Sequence, residues 1–116
     1  MNRKRLVVGI TGSSGVILGV RLLEVLRELD VESHLILSHA ARITLAHETD
    51  RTVAGVQALA DVAYQPEDLA APLASGSFAT DGMAILPCSI KTLSAVANCF
   101  AADLMARAAD VTLKEG

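Results

Sequence analysis

There is no tryptophan in this chain, and only one tyrosine and two phenylalanines among its 116 residues. Proteins that grip single-stranded nucleic acid stack bases on aromatic platforms, so this supply argues against that class. Positive charge is scarce too: ten Lys and Arg against thirteen Asp and Glu leave a net charge of −3. The short basic start, Asn2-Arg3-Lys4-Arg5, reads as a solvated terminus and not as a nucleic-acid patch. No apolar stretch approaches the ~20 residues of a membrane span. The apolar run after the basic start breaks at Gly9, too early for a secretory signal. Cysteine is limited to Cys88 and Cys99, without metal-ligand spacing. In a chain with no signal they are expected as free, buried thiols in a reducing cytoplasm. His34, His39 and His47 also lack metal spacing and read as structural or exposed. No metal site is expected.

What is present is globular: 52% hydrophobic residues and 20% charged, in a length that suits one domain spanning 1–116. "RLVVGI", Arg5 to Ile10, is apolar on both faces, as a central parallel strand should be. Val16 to Leu29 reads as a helix, with Leu18, Leu22, Val25, Leu26 and Leu29 on its apolar face, ending at Asp30. "HLILS", His34 to Ser38, is a second buried strand, and Ala40 to about Glu48 a second helix. A short helical piece near Val53 to Leu59 and a turn at Pro66 follow. The loop from Ala71 to Gly82, "APLASGSFATDG", is long and rich in small residues, which makes it a candidate site loop. "MAIL", Met83 to Leu86, is a third strand stopped by Pro87; Ser89 caps a helix to about Asn98, and a last helix runs from about Ala102 to Lys114. Strands alternate with helices, so the crossovers should be right-handed and the sheet parallel. An alternating fold should go on to another strand after Lys114, so the chain is expected to be truncated at its C-terminal end.

Four stretches carry chemistry. "GITGSSG", Gly9 to Gly15, turns a strand into a helix, with Thr11 where a dinucleotide fingerprint has its second glycine. Such a turn exposes amide N–H groups at a helix start, an anion site to which Ser13 and Ser14 add hydroxyls. The other reading is a tight turn that needs glycine for its backbone angles alone. "PCSIKTLSAVA", Pro87 to Ala97, repeats the strand-to-helix arrangement, with Ser89 and Thr92 either facing a ligand or simply capping a helix. With Ser38, three strand ends then converge. In "RAADVTLKE", Arg107 and Lys114 share a helix face with Asp110 between them, which a solvated face with intrahelical ion pairs also explains. Glu48, at a helix end near the loops, is a surface carboxylate or a proton donor and acceptor.

Taken in order, "GITGSSG", "GVRLLEVLRE", "HLILSHAARIT", "ETD", "SGSF", "GMAILPCSIKTLSAVA" and "RAADVTLKE" resemble the N-terminal part of the flavin prenyltransferases, the UbiX type also described as small subunits of aromatic acid decarboxylases. The resemblance implies an α/β fold, a Rossmann-like or flavodoxin-like three-layer sandwich with a mostly parallel sheet. It implies transfer of a dimethylallyl group from dimethylallyl phosphate to N5 and C6 of reduced FMN. The prenylated FMN would then serve a partner decarboxylase of the ubiquinone or aromatic-acid type. It further implies a homo-oligomer with sites between subunits, with which the mean hydropathy of +0.44 is compatible. By resemblance, Gly12, Ser13, Ser14, Ser38, Ser89, Ile90, Lys91, Thr92 and Arg107 hold FMN. Ser14 and Glu48 are catalytic, and Ser75, Gly76, Ser77, Arg107 and Lys114 bind the prenyl substrate. Two positions depart from the family pattern: Leu18 stands where a Tyr is common, and Asp103 where an Asn is. The alternatives are an FMN-dependent peptidyl-cysteine decarboxylase of similar fold and a truncated, inactive FMN-binding protein.

Overall fold

The computed structural model describes residues 3–76, 78–98 and 103–115, with Glu115 described by its backbone alone. Ser77 and Cys99, both singled out above, lie outside the described residues, as does Gly116. The elements run β1 (Arg5–Ile10), α1 (Val16–Glu28), β2 (Glu32–Leu37), α2 (His39–Glu48), α3 (Val53–Gln57), β3 (Val62–Tyr64), a 3₁₀ turn (Pro72–Ala74), β4 (Gly82–Ile85), α4 (Ile90–Ala97) and α5 (Leu104–Glu115). The four strands form one parallel sheet in the order β3-β2-β1-β4. Val7 of β1 sits between His34 of β2 and Met83 of β4.

Alternation along the strands separates two cores, because successive side chains leave opposite faces. Val8, Ile10, Leu35 and Leu37 meet α1, α2 and Val56 of α3 on one face. Val7 and Ile36 meet Leu73 of the 3₁₀ turn and Leu104, Met105 and Ala108 of α5 on the other. This is the expected three-layer arrangement. β1 reads as a continuous apolar run because it feeds both cores.

Three expectations shift. The buried face of α1 is Val16, Gly19, Val20, Leu23 and Leu26. Leu18 and Leu29 of the expected face are 55% and 67% exposed. Counting large apolar residues missed the stripe because its centre is a glycine. A Cβ on Gly19 would stand 2.3 Å from the Leu86 carbonyl oxygen and 2.8 Å from Ile10. The bare backbone lets α1 sit on the sheet at that point, and its neighbours one turn away follow it inward. Leu23→Ala is therefore expected to cost about 3 kcal/mol and Leu18→Ala less than about 0.5 kcal/mol, read from urea midpoints.

β3 went unrecognised because three residues hold no periodicity. Its register against β2, His34 beside Val62, is a tertiary fact. The loop from Ala71 to Gly82 is partly core: Ala71 and Leu73 are buried against α5 and the sheet. The α1 helix ends at Asp30 as expected, with φ 56° and Val31 N–H donating back to the Leu26 carbonyl.

At the amino ends of the strands a polar chain ties β1, β2 and β3 together. Arg5 Nε donates to Glu32 (2.8 Å), whose carboxylate also meets His34 Nε2 (2.6 Å), while His34 Nδ1 meets the Tyr64 hydroxyl (2.8 Å). The Arg5 guanidinium lies 4.8 Å from the Phe78 ring centroid. His34 is buried and both its ring nitrogens are engaged, which fits the structural reading.

Candidate functional site

The loops that leave β1, β2 and β4 gather at the carboxyl ends of the strands, where open parallel sheets bind ligands. Between them lies a cleft of about 820 Å³, a size common for small-molecule sites. Gly12, Ser13, Ser38, Ser89, Lys91 and Thr92 line it, all of them expected site residues. His39, Pro66, Glu67, Leu69 and Asp103 line it as well.

Two helix starts open onto this cleft, each capped by a serine. Ser38 Oγ accepts from the Ala41 amide (3.0 Å) at the start of α2. Ser89 Oγ accepts from the Thr92 amide (3.2 Å) and lies 3.0 Å from the Thr92 hydroxyl at the start of α4. The first amides of each helix have no intrahelical acceptor and carry the positive end of the helix dipole. With the nearby Lys91 ammonium and the Thr92 hydroxyl, the donor set suits a phosphate. Ile90, expected among the site residues, does not line the cleft and is 86% exposed. Removing the cap with Ser89→Ala should cost about 1 kcal/mol of stability in thermal unfolding and weaken anion binding at this end.

The start of α1 is different. Gly15 adopts φ 96° and supplies no side-chain cap. Glu48, at the far end of α2, provides it: Oε1 accepts from the Gly15 amide (3.0 Å) and the Val16 amide (3.3 Å). Oε2 accepts from the Ser14 hydroxyl (2.9 Å). The first glycine loop was expected to offer these amides to a ligand phosphate; in the structure a carboxylate of the chain holds them. The two expected catalytic residues, 34 positions apart, are thus in direct contact. The hydrogen bond from Ser14, helped by the Gly15 amide, keeps the Glu48 carboxyl below its ordinary value of 4.5.

The loop between β1 and α1 is also pinned from α2. Thr44 Oγ1 donates to the Gly12 carbonyl (2.8 Å), and a Cβ on Gly12 would stand 2.6 Å from the Ala40 Cβ. Gly12 is required here by the close approach of Ala40.

Other expected residues are not in this cleft. Gly76 lines a separate cavity of about 400 Å³ with Val7, Phe78, Asp81 and Thr112, at the opposite end of the sheet. Ser75 is exposed on the same loop. Arg107 is exposed one turn beyond Asp103 and does not line the cleft. Lys114 lies eleven residues beyond Asp103, about 16 Å along the helix, and pairs with Asp110 at 3.0 Å, the intrahelical arrangement weighed above. Cys88 is exposed, where a buried thiol was expected.

His39, read above as structural or exposed, and Glu67, which no motif singled out, meet at 2.8 Å across the cleft between α2 and the segment after β3. Only their adjacency to Ser38 and Pro66 signalled them. Thr11 was noticed for the glycine it replaces, but its partners were not legible. Among the described residues, no group of three or more His, Cys, Asp or Glu is placed to hold a metal ion. Among the same residues, no helix is long and apolar enough to cross a membrane.

Four carboxyls share one behaviour. Glu24, Glu32, Glu48 and Glu67 are held below 4.5, by hydrogen bonds chiefly from Arg51, His34, Ser14 and His39 respectively. A carboxyl depressed in the folded state stabilises above its unfolded value, and that contribution is lost as pH falls through the folded value. Urea midpoints should therefore hold from neutral pH to about pH 5 and fall progressively below it. A midpoint that rises on acidification would contradict these pairings.

The model of the Flavoprotein family matches residues 1–116. The chain is 59% identical over 113 residues to the flavin prenyltransferase UbiX of Escherichia coli K12, covering 97% of this chain and 60% of that protein. It superimposes with a TM-score of 0.97 on the crystal structure of AnUbiX in complex with FMN and dimethylallyl pyrophosphate, at 49% identity over 98% of this chain and 61% of that one. A dodecameric FMN-dependent UbiX-like decarboxylase from Escherichia coli O157:H7 gives a TM-score of 0.95 at 50% identity, over 97% and 62% of the two chains. The chain thus spans about 60% of the length of the relatives it matches. With a family model matched from end to end, the chain belongs to the flavoprotein family.

Proposed function

We propose that the cleft binds FMN and that this chain carries the flavin-holding part of a flavin prenyltransferase. The observation that carries the reading is the convergence of two serine-capped helix starts, Lys91 and Thr92 on one cleft beside the Ser14–Glu48 pair. FMN fits this donor set. Its phosphate suits the amides at the starts of α2 and α4. The bare Gly12 backbone and the apolar surface of Pro66 and Leu69 leave room for a flat ring system. When bound and reduced, FMN would supply the nucleophilic ring that accepts a dimethylallyl group at N5 and C6.

The chain's own groups then have distinct tasks. Ser38, Ser89, Thr92 and Lys91 hold the phosphate and fix the ring's register. Gly12 and Ser13 form the floor under it. Glu48, kept ionised by Ser14 and the α1 amides, accepts a proton through the Ser14 hydroxyl and returns it. Ser75, Gly76, Ser77, Arg107 and Lys114 are our candidates for the prenyl phosphate, where cationic side chains would stabilise the charge left on phosphate as the C–O bond breaks. None of those described lines this chain's own cleft, so this part of the reading needs a second copy of the chain. The dodecameric relative supports such an assembly. The prenylated flavin would pass to a partner decarboxylase.

The test is anaerobic incubation with reduced FMN and dimethylallyl phosphate, followed by mass analysis of the extracted flavin. A flavin heavier by one C5H8 unit is the expected result. Retained but unmodified flavin would leave a binding protein only, and no retained flavin would remove the proposal altogether. Release of CO2 from a peptidyl cysteine would place the chain with the decarboxylases instead.

A further inference from the structure

The α4 helix opens one side of the cleft, yet it buries none of its residues. Ile90 and Leu93 are 86% and 59% exposed. A helix without a buried face is not located by core packing. Apart from its contact with α5, its position rests on the segment that delivers it, Leu86 to Ser89.

The Leu86 amide donates to the Gly9 carbonyl (2.9 Å), and beyond it one side chain ties the segment to the first glycine loop. Thr11, directly after β1, is 1% exposed. Its hydroxyl donates to the Pro87 carbonyl (2.6 Å) and accepts from the Ser89 amide (2.8 Å). The Thr11 amide also donates to the Pro87 carbonyl (3.3 Å). The direction of each bond is unambiguous, because a carbonyl only accepts and an amide N–H only donates. One hydroxyl therefore spans two loops 78 positions apart and uses both its donor and an acceptor site. Ser89 is in turn the residue whose Oγ caps α4 through Thr92. A glycine at position 11, as in a dinucleotide fingerprint, would leave the Ser89 amide without this acceptor.

We propose that Thr11 is a positioning residue: its hydroxyl sets the register of the Leu86–Ser89 loop, and through Ser89 the start of α4, against the first glycine loop. The two ligand loops then move as one body, and the distance between Gly12 and Thr92 across the cleft is fixed before any ligand arrives. Preorganised donors lose no further ordering entropy on binding, so the hydroxyl acts on affinity without touching the ligand. The consequence for flavin affinity rests on the FMN reading above, whereas the loop register does not.

The experiment compares Thr11→Val, which keeps the shape and removes the hydroxyl, with Thr11→Ser, which keeps the hydroxyl and removes the methyl. Amide hydrogen exchange is followed in the flavin-free protein, and FMN affinity by fluorescence quenching. Thr11→Val should speed exchange over residues 88–93 by on the order of tenfold or more, with β2 and α1 protected as before, and weaken FMN binding by a similar factor. Thr11→Ser should restore both to within about threefold. If Val fails to fold, Thr11→Ala must show the same local signature. Unchanged exchange over 88–93 in Thr11→Val overturns the proposal. So does an equal loss of protection across β1 and β2, which would mark a general packing role, or a Thr11→Ser variant as impaired as Thr11→Val. If the unmodified protein takes up no FMN, the flavin reading falls by itself, and the exchange data still decide the role of Thr11.

Discussion

If the chain carries the proposed prenyl transfer, Glu48→Gln is expected to slow it by on the order of a hundredfold to a thousandfold while FMN affinity stays within about threefold of the parent. The separation follows from the two oxygens. Oε1 accepts from the Gly15 and Val16 amides, and a glutamine carbonyl takes over that task unchanged. Oε2 accepts from Ser14, and here glutamine presents an NH2 group, which donates where the carboxylate accepted. The cap on α1 survives and the loop keeps its shape, so on the proposed reading FMN affinity should be retained. What is lost is a group able to take a proton from Ser14 and return it. Single-turnover rates and flavin titrations on the same preparation check both halves. An equal loss of rate and affinity would show Glu48 to be a helix cap and no more. Glu48→Ala should differ, losing affinity as well, because the two amides are left without their acceptor.

Gly19→Ala destabilises the protein by about 3 kcal/mol in urea unfolding. The sign is opposite to the ordinary one. In the interior of a helix, alanine is favoured over glycine by about 1 kcal/mol. Here the new Cβ would fall 2.3 Å from the Leu86 carbonyl oxygen and 2.8 Å from two atoms of the Ile10 side chain. Ile10 can turn, but Leu86 O belongs to the backbone of the loop that carries Pro87 and Ser89, so α1 or that loop must move. The same variant should therefore also weaken anion binding at the start of α4. A stabilised Gly19→Ala protein would mean that α1 does not approach the sheet as described.

Local signals in the chain were legible where they act over a few residues. The apolar run of Arg5 to Ile10, the stop at Asp30, the cap at Ser89 and the alternation of strand and helix all depend on neighbours within about one turn. Those signals give every element but β3 and the short 3₁₀ turn, their order along the chain and the parallel sheet, and they bring three strand ends to one side. The stripe of α1 was misplaced because the residue at its centre has no side chain to count. The three residues of β3 were missed because pairing with β2 supplies what periodicity cannot.

The chain alone therefore determined the α/β architecture and the loops from which a site is built, since backbone propensity and hydrophobic period are written locally. Tertiary structure decided which of those residues meet. Ser14 finds Glu48, Thr11 finds Ser89, and Gly12 fits under Ala40, each across more than 25 positions of sequence. It also left Gly76 and Lys114 at the far end of the sheet. Such encounters depend on the register of β1 between β2 and β4 and on how closely α1 and α2 can approach it. Those distances are fixed by packing, and no short window of sequence contains them.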